Sequence, residues 1–335
     1  MTYFGIDVHS KYSEICGLSE SGEVEIRTRI ATTEASIRRF FSGRASTRIV
    51  YEAGPAGPWL SRLLTELGHD VTVVNPRRLR LIAESTLKSD VQDAEVIARL
   101  SRLDLEFLRP VHQRSEEAQE LRSHLRIRSC LVRTRVALTN SVKGILRAHG
   151  YRMRSCAGHL FVARFGGLAL PTSLVLLVDP LIETIAGLTQ QIAGLDGELS
   201  EAASVDPLAK RLQTVPGVGP IISLSYMAWM DDPKRFRKSR DVGACLGLRP
   251  RLRSSADVET RGRISKEGDS EMRRLLVQAA HALLWSRRSS VLKTWADGLA
   301  ERIGKKKAVV AIARKLSVLL HRLWVTETDF QAQPA

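Results

Sequence analysis

Tyr3-Phe4-Gly5-Ile6-Asp7-Val8 is the stretch on which the reading of this chain turns. It is an apolar run of strand length with a carboxylate inside it. A carboxylate on a buried strand is costly unless it is paired or holds a metal ion. A second run, Ile49-Val50-Tyr51-Glu52, also ends on an acid, and the Ala53-Gly54-Pro55 that follows must break the strand. Asp90 and Asp93 stand three apart near the start of a helix expected over 89–103, so they project from one face. If Asp7, Glu52, Asp90 and Asp93 converge, they form an all-oxygen site suited to one or two Mg²⁺ ions and to phosphoryl transfer. Acids also gather in first helical turns for electrostatic reasons, so Asp90 and Asp93 alone read equally well as helix-end charges. Asp7, inside its strand, does not share that explanation.

Around these acids the first hundred residues alternate strand and helix signals. Strands are expected at 3–8, 12–18, 23–30, 48–52 and 70–75, and helices at 33–42, 57–68 and 76–85. A meander of strands followed by alternation with helices predicts an α/β layer. An RNase H-like sheet has this order, with three antiparallel strands, then parallel ones, and a carboxylate on the first. A sugar-kinase or actin-like ATPase opens similarly, but it needs a glycine-rich phosphate loop, which the sequence lacks.

After Pro110 the pattern turns to long helix. Residues 114–149 hold one glycine, no proline and many arginines, with apolar positions at helical spacing. Leu174, Val178, Leu181, Ile185, Leu188, Ile192, Leu195 and Leu199 then follow in alternating steps of four and three, a heptad seam. Pro180 marks a candidate start for this helix in place of Leu174. The seam predicts a partner helix, either 114–149 of the same chain or the same segment of a second protomer. The expectation is both, a helical hairpin that dimerises.

A third region opens near Asp206. Val215-Pro216-Gly217-Val218-Gly219-Pro220, between helix-like segments, resembles a helix-hairpin-helix turn, in which Gly217 and Gly219 would let backbone amides approach a phosphate. A plain tight turn between helices is the other reading. Lys234, Arg235, Arg237, Lys238 and Arg240 follow closely and favour phosphate contact. Two basic amphipathic helices are expected at about 269–288 and 305–324.

Composition bounds the partners. The 335 residues suffice for two or three domains, and 44% hydrophobic with 26% charged residues is ordinary for a globular protein. The formal net charge of +15 is not ordinary and favours a polyanion. Residues 1–110 balance 15 basic against 15 acidic side chains, 111–205 carry 11 against 8, and 206–335 carry 25 against 13. The acids thus lie in a neutral module and the attraction in the last third; a basic solvated face without a partner is the alternative. Cys16, Cys130, Cys156 and Cys245 show neither a disulfide framework nor zinc-ligand spacing. No basic-then-apolar leader opens the chain, and no uninterrupted apolar stretch approaches a membrane span. The expectation is a cytoplasmic protein with no membrane contact.

Between the basic cluster 234–240 and the helix expected at about 269–288 lies Leu246-Gly247-Leu248-Arg249-Pro250-Arg251-Leu252-Arg253-Ser254-Ser255-Ala256-Asp257, then Gly262-Arg263-Ile264-Ser265-Lys266-Glu267-Gly268-Asp269. Two serines among arginines, read as a loop, are either phosphate-contacting hydroxyls or include a nucleophile toward DNA phosphorus. In the second case arginines would stabilise the pentavalent charge. No His/Asp relay stands nearby.

Taken with Gly5-Ile6-Asp7-Val8, Tyr51-Glu52-Ala53-Gly54-Pro55, Lys88-Ser89-Asp90-Val91-Gln92-Asp93-Ala94 and Val215-Pro216-Gly217-Val218-Gly219, these segments resemble one family in order and spacing. It is the DEDD transposases of bacterial insertion sequences, the insertion-sequence one-hundred-ten family, with the Piv-type DNA invertases. The resemblance spans nearly the whole chain. It implies a RuvC-like catalytic domain over 1–108, a coiled-coil dimerisation region over 109–205 and a C-terminal transposase domain over 206–335, mainly α. It also implies that Asp7, Glu52, Asp90 and Asp93 are the metal-binding tetrad and that Ser255 is the nucleophile, with Ser254 its variable neighbour. Ala256 stands where members usually have glycine. Phosphate contacts would come from Gly217, Gly219, Lys234, Arg235, Arg237, Lys238, Arg251, Arg253, Arg263 and Lys266. The family further implies donor and target DNA, a structured non-coding RNA that pairs with both, and a dimer or tetramer. The expected activity is a Mg²⁺-dependent recombinase working through a covalent phosphoserine. The enzymatic rival is a Holliday-junction resolvase or other hydrolytic nuclease on the same tetrad; the non-enzymatic rival is a basic nucleic-acid-binding protein.

Overall fold

The structure is a computed structural model that describes residues 2–75, 90–102, 110–255 and 258–331, with the side chains of 252–261 outside the description. The helix expected at 76–85 lies outside the described residues. The chain divides into two compact units, Met1–Ser115 and Glu116–Ala335.

The first unit is built on a five-stranded sheet of β1 (Tyr3–Val8), β2 (Tyr12–Leu18), β3 (Val24–Ala31), β4 (Arg48–Glu52) and β5 (Asp70–Val74), in the order β3-β2-β1-β4-β5. β1 pairs antiparallel with β2 and parallel with β4, β2 antiparallel with β3, and β4 parallel with β5. The expected meander and crossovers are therefore present, in a strand order consistent with an RNase H-like sheet. Alternation along each strand sorts the side chains between two faces. Phe4, Ile6 and Tyr51 pack with Ile37 and Phe41 of α1 (Glu34–Phe41) and Leu60 and Leu64 of α2 (Gly57–Glu66). The opposite face meets α3 (Asp90–Leu100), where Val50 packs with Ile97 and Leu100, and Cys16 and Leu18 with Ala94 and Ala98. Thr33 caps α1 by accepting from the Ser36 amide.

In the second unit α4 (Glu116–Ala148) and α6 (Thr172–Val205) form a hairpin, joined through α5 (Phe161–Gly166). Val142, Leu146, Phe161, Phe165, Leu174, Val178, Ile182 and Ile185 share one core. The same-chain partner of the seam is therefore α4. α6 begins at Thr172, so Pro180 lies inside the helix rather than at its start, and burial of Leu174 and Val178 on α5 and α4 carries the helix across it. Ile182 is buried where strict heptad spacing names Leu181, which is only half-buried, and Ala203 is buried beyond Leu199. A straight 3.6-residue helix drifts by about 20° per heptad, which moves the buried stripe in this way. By length and composition, α6 is also apolar enough to cross a membrane, a property hidden from a search for uninterrupted apolar runs by Asp179, Pro180, Glu183 and Asp196.

The remainder is a helical core of α7 (Pro207–Gln213), α8 (Pro220–Met230), α9 (Arg240–Cys245), α10 (Ser270–Trp285), α11 (Val291–Ile303) and α12 (Lys305–Thr326). Leu212, Tyr226, Trp229, Leu276, Leu283, Leu299, Ile312, Leu316 and Leu320 lie within one cluster. The expected helices at 269–288 and 305–324 correspond to α10 and α12. α11 lies between them and is not among the helices expected from the sequence, although Ser290 is a plain cap signal and accepts from the Lys293 amide. The segment expected as a serine-bearing loop is instead a hairpin, β6 (Pro250–Ser255) with β7 (Val258–Ile264).

Candidate metal centre and serine hairpin

Because Phe4 and Ile6 enter the α1/α2 core, Gly5 and Asp7 belong to the α3 face of β1. Glu52 ends β4 on the α3 face by the same alternation, one residue beyond the Ile6–Tyr51 pair. α3 lies very close to this sheet, and Gly5 is the reason it can. A Cβ at Gly5 would stand 2.2 Å from the Ala98 nitrogen and 2.3 Å from the Ala94 carbonyl oxygen. That approach carries Asp90, in the first turn of α3, to the end of β1.

There the side chains converge. His9 Nε2 is 2.9 Å from Asp7 Oδ2 and 3.5 Å from Asp90 Oδ2. The Tyr12 hydroxyl donates to Asp90 Oδ2 at 2.9 Å, and the Arg29 guanidinium lies 4.3 Å from the Tyr12 ring centroid. Burial holds the Asp7 carboxyl above its ordinary range; His9 opposes that shift, while the charges of Asp93 and Asp90 add to it. Hydrogen bonding to Asp90 likewise raises the Tyr12 phenol.

Metal-capable atoms of Asp7, His9 and Asp90 lie within 4.8 Å of one another. Crowded carboxylates on a half-buried strand end are what a divalent cation relieves, so this donor set fits one. Asp93 is exposed beside the cluster and acts on Asp7 through its charge. His9 and Tyr12 are absent from the sequence-derived site. The signal for His9 was present, since Asp7-Val8-His9 puts aspartate and histidine two apart, on one side of an extended chain.

In the second unit Ser255 and Val258 form the last pair of the β6–β7 hairpin. The hairpin stands on a tightly bonded base. The Ser265 amide donates to the Arg249 carbonyl at 2.9 Å and the Lys266 amide to the Gly247 carbonyl at 3.1 Å. From α10, Arg273 Nη1 donates to the carbonyls of Leu246 at 2.9 Å and Glu267 at 2.8 Å, tying the two flanks together.

The basic residues divide. Lys234, Arg237, Lys238, Arg251, Arg263 and Lys266 are exposed, and the Arg253 side chain lies outside the description. Arg235 departs from the expected surface contact. It packs over Trp229 and Phe236 at 4.9 and 4.8 Å from their centroids, and burial lowers its pKa. Gly217 has a structural reason of its own: at φ +88° its missing Cβ would stand 2.5 Å from the Ala279 carbonyl oxygen of α10. Gly219 is the N-cap of α8, with nothing within 4 Å of where its Cβ would be. The α7–α8 connection is thus a tight turn seated on α10. A cavity of about 390 Å³ between α4, α8 and the start of α10 is lined by Arg122, Arg126, Arg128, Arg133 and Arg274. Arg122 pairs with Asp269 at 2.8 Å and Arg128 pairs with Asp196. A regional charge count understates these α4 arginines, because eight acids in 111–205 offset its eleven basic residues.

Fold and site together describe an α/β unit with a carboxylate centre, coupled in sequence to a basic helical unit. Residues 4–150 match the DEDD transposase model of the IS110 family, and residues 209–295 match the transposase model of the IS116/IS110/IS902 family. The transposase of insertion sequence IS1328 from Yersinia enterocolitica is 30% identical, over 98% of this chain and 97% of its own. A probable family 20 transposase of Pseudomonas aeruginosa is 30% identical over 99% of both chains. The IS1111A transposase of Coxiella burnetii is 28% identical over 98% of this chain and 90% of its own. The chain belongs to the IS110 family of insertion-sequence transposases, enzymes that cleave and join DNA.

Proposed function

We propose that this transposase exchanges DNA strands through a phosphoserine on Ser255, and that Asp7, Glu52, Asp90 and Asp93 hold the divalent cation the reaction uses. In this reading 1–108 is the catalytic domain, 109–205 the coiled coil through which protomers associate and 206–335 the domain that brings the serine, acting in the cytoplasm. The observation that carries it is the convergence of Asp7 and Asp90, 83 positions apart in sequence, on one imidazole nitrogen.

Ser255 Oγ attacks a phosphodiester phosphorus. The Oγ–P bond forms, the P–O3′ bond breaks, the serine proton passes to water, and the 3′ oxygen leaves and is protonated. A 3′ hydroxyl of another strand then attacks the phosphoserine, re-forming a P–O3′ bond and returning Ser255 to its hydroxyl state. Each phosphodiester broken is conserved in the linkage, so no external energy source is required. Bound Mg²⁺ would neutralise charge on the phosphate oxygens. Arg251, Arg253 and Arg263 supply positive charge for the pentavalent state. Lys234, Arg237, Lys238 and Lys266, with Arg126 and Arg133 of the cavity, grip phosphates of DNA and of a structured guide RNA. Base pairing by that RNA chooses the sites while the protein reads backbone shape.

The test is a denaturing gel of stalled reactions with purified protein and RNA. Wild-type protein should become linked to a 5′ phosphate, Ser255→Ala should be inactive, and Ser254→Ala only impaired. An active Ser255→Ala protein with no covalent adduct would instead assign the chain to water-mediated cleavage on the same acids.

A further inference from the structure

The imidazole of His9 is held in place by the protein's own contacts. Its backbone amide donates to the Tyr12 carbonyl at 3.0 Å, closing the β1–β2 turn, and its ring lies tilted against Tyr12 with centroids 5.0 Å apart. Its Nε2 faces carboxylates from two different elements, at 2.9 Å from Asp7 of the strand and 3.5 Å from Asp90 of the helix. The second distance is too long for a hydrogen bond. A histidine serving only to pair with Asp7 would not need to stand between both acids. Two ligands in neighbouring positions of an octahedral ion, each about 2.1 Å from it, are about 3 Å apart. The two distances around Nε2 bracket that edge. The histidine side chain is 38% exposed, so a hydrated ion can reach it from solvent.

We propose that His9 Nε2 is a direct ligand of the cation, making this a mixed nitrogen-and-oxygen centre that favours Mn²⁺ over Mg²⁺. The inference rests on the metal-centre reading of Asp7 and Asp90 and adds a ligand to it. Carboxylates serve Mg²⁺ and Mn²⁺ alike, whereas an imidazole nitrogen is a better partner for a transition metal than for Mg²⁺. For Nε2 to bind the ion, its ring must carry the proton on Nδ1.

The experiment is electron spin-echo envelope modulation on the full-length transposase loaded with Mn²⁺, with and without His9→Gln. Wild-type protein should show ¹⁴N modulation from a coordinated imidazole, and His9→Gln should lose it while still binding Mn²⁺. By titration, the Mn²⁺-over-Mg²⁺ preference should fall at least about tenfold in His9→Gln. An unchanged metal-free unfolding midpoint would show that the variant folds. Bound Mn²⁺ without nitrogen modulation in the wild type, or modulation that persists in His9→Gln, overturns the ligand role and leaves the carboxylate centre standing. Failure of the wild type to bind either ion at all overturns both.

Discussion

Asp7 has a consequence for stability that is independent of catalysis. The folded protein holds its carboxyl above the ordinary value of 3.8, chiefly through burial, so the folded chain keeps this proton more tightly than the unfolded chain. The group therefore favours folding most in acid. Its contribution falls as pH rises from 3.8 toward the raised value, and above that the ionised carboxylate is a standing cost. Asp7→Asn should accordingly raise the metal-free unfolding midpoint at pH 7 and leave it nearly unchanged at pH 3, while abolishing excision in cells. Mn²⁺ or Mg²⁺ should raise the midpoint of wild type and not that of Asp7→Asn; calorimetry at the two pH values reads both effects. Gly5 makes a complementary case. A methyl there meets α3 backbone rather than a yielding side chain, so Gly5→Ala should cost about 1–3 kcal/mol by overpacking. Because relief requires α3 to move off the sheet, cation affinity should fall with it even though every acid is retained. Undiminished Mn²⁺ binding by a destabilised Gly5→Ala protein would disprove that link.

At the scale of elements, what could be read from sequence and what could not has a common cause. β1 and β4 announce themselves as apolar runs that are interrupted sharply, as Gly54 and Pro55 interrupt β4, whereas β3 shows only the alternation of a half-covered edge strand. Asp7 and Glu52 were conspicuous for being charged within such runs. His9 and Tyr12 stand out less, since a histidine after a strand and a tyrosine opening the next one are ordinary until the β1–β2 connection is known to bring both against Asp90. The β6–β7 hairpin reads as loop in sequence because arginine and serine dominate it, although Arg251 and Arg253 alternate with Leu252 and Ser254 at strand period. Arg273 could not be found from sequence at all, since its role depends on two carbonyls that meet only in the fold. Arg273→Met should loosen the hairpin base and lower strand transfer with Ser255 intact, and protease cleavage near residues 250–264 should quicken. α6 separates packing from association. Ile185 and Ile192 are buried within the chain, so aspartate at both should unfold the hairpin rather than merely separate protomers. Leu176 and Leu177 are 67% and 60% exposed, and glutamate at both should leave the helix content intact. A lower mass by light scattering for that variant would assign self-association to the outer side of α6; an unchanged mass would remove that side from the interface.

Over the whole molecule, charge and chemistry are carried by different lengths of chain. The acids lie in residues 1–110, which are neutral overall, while residues 206–335 hold 25 basic against 13 acidic side chains. A grip built on many phosphate contacts releases condensed counterions, so affinity must fall steeply with salt. Neutralising six phosphates of duplex DNA gives a slope of about −5 in log affinity against log salt, and each lost contact makes it shallower by about one. Lys234→Gln with Lys238→Gln should therefore weaken binding similarly on unrelated sequences and reduce the slope by about two. The variant should keep its Mn²⁺ affinity, because the carboxylate centre is a separate part of the chain. Fluorescence anisotropy across a salt series on two unrelated duplexes, with a cation titration in parallel, reads both quantities. A flat salt response in the wild type would contradict a phosphate-dominated grip. A loss confined to one duplex would mean that these lysines read sequence, contrary to the assignment of site choice to RNA.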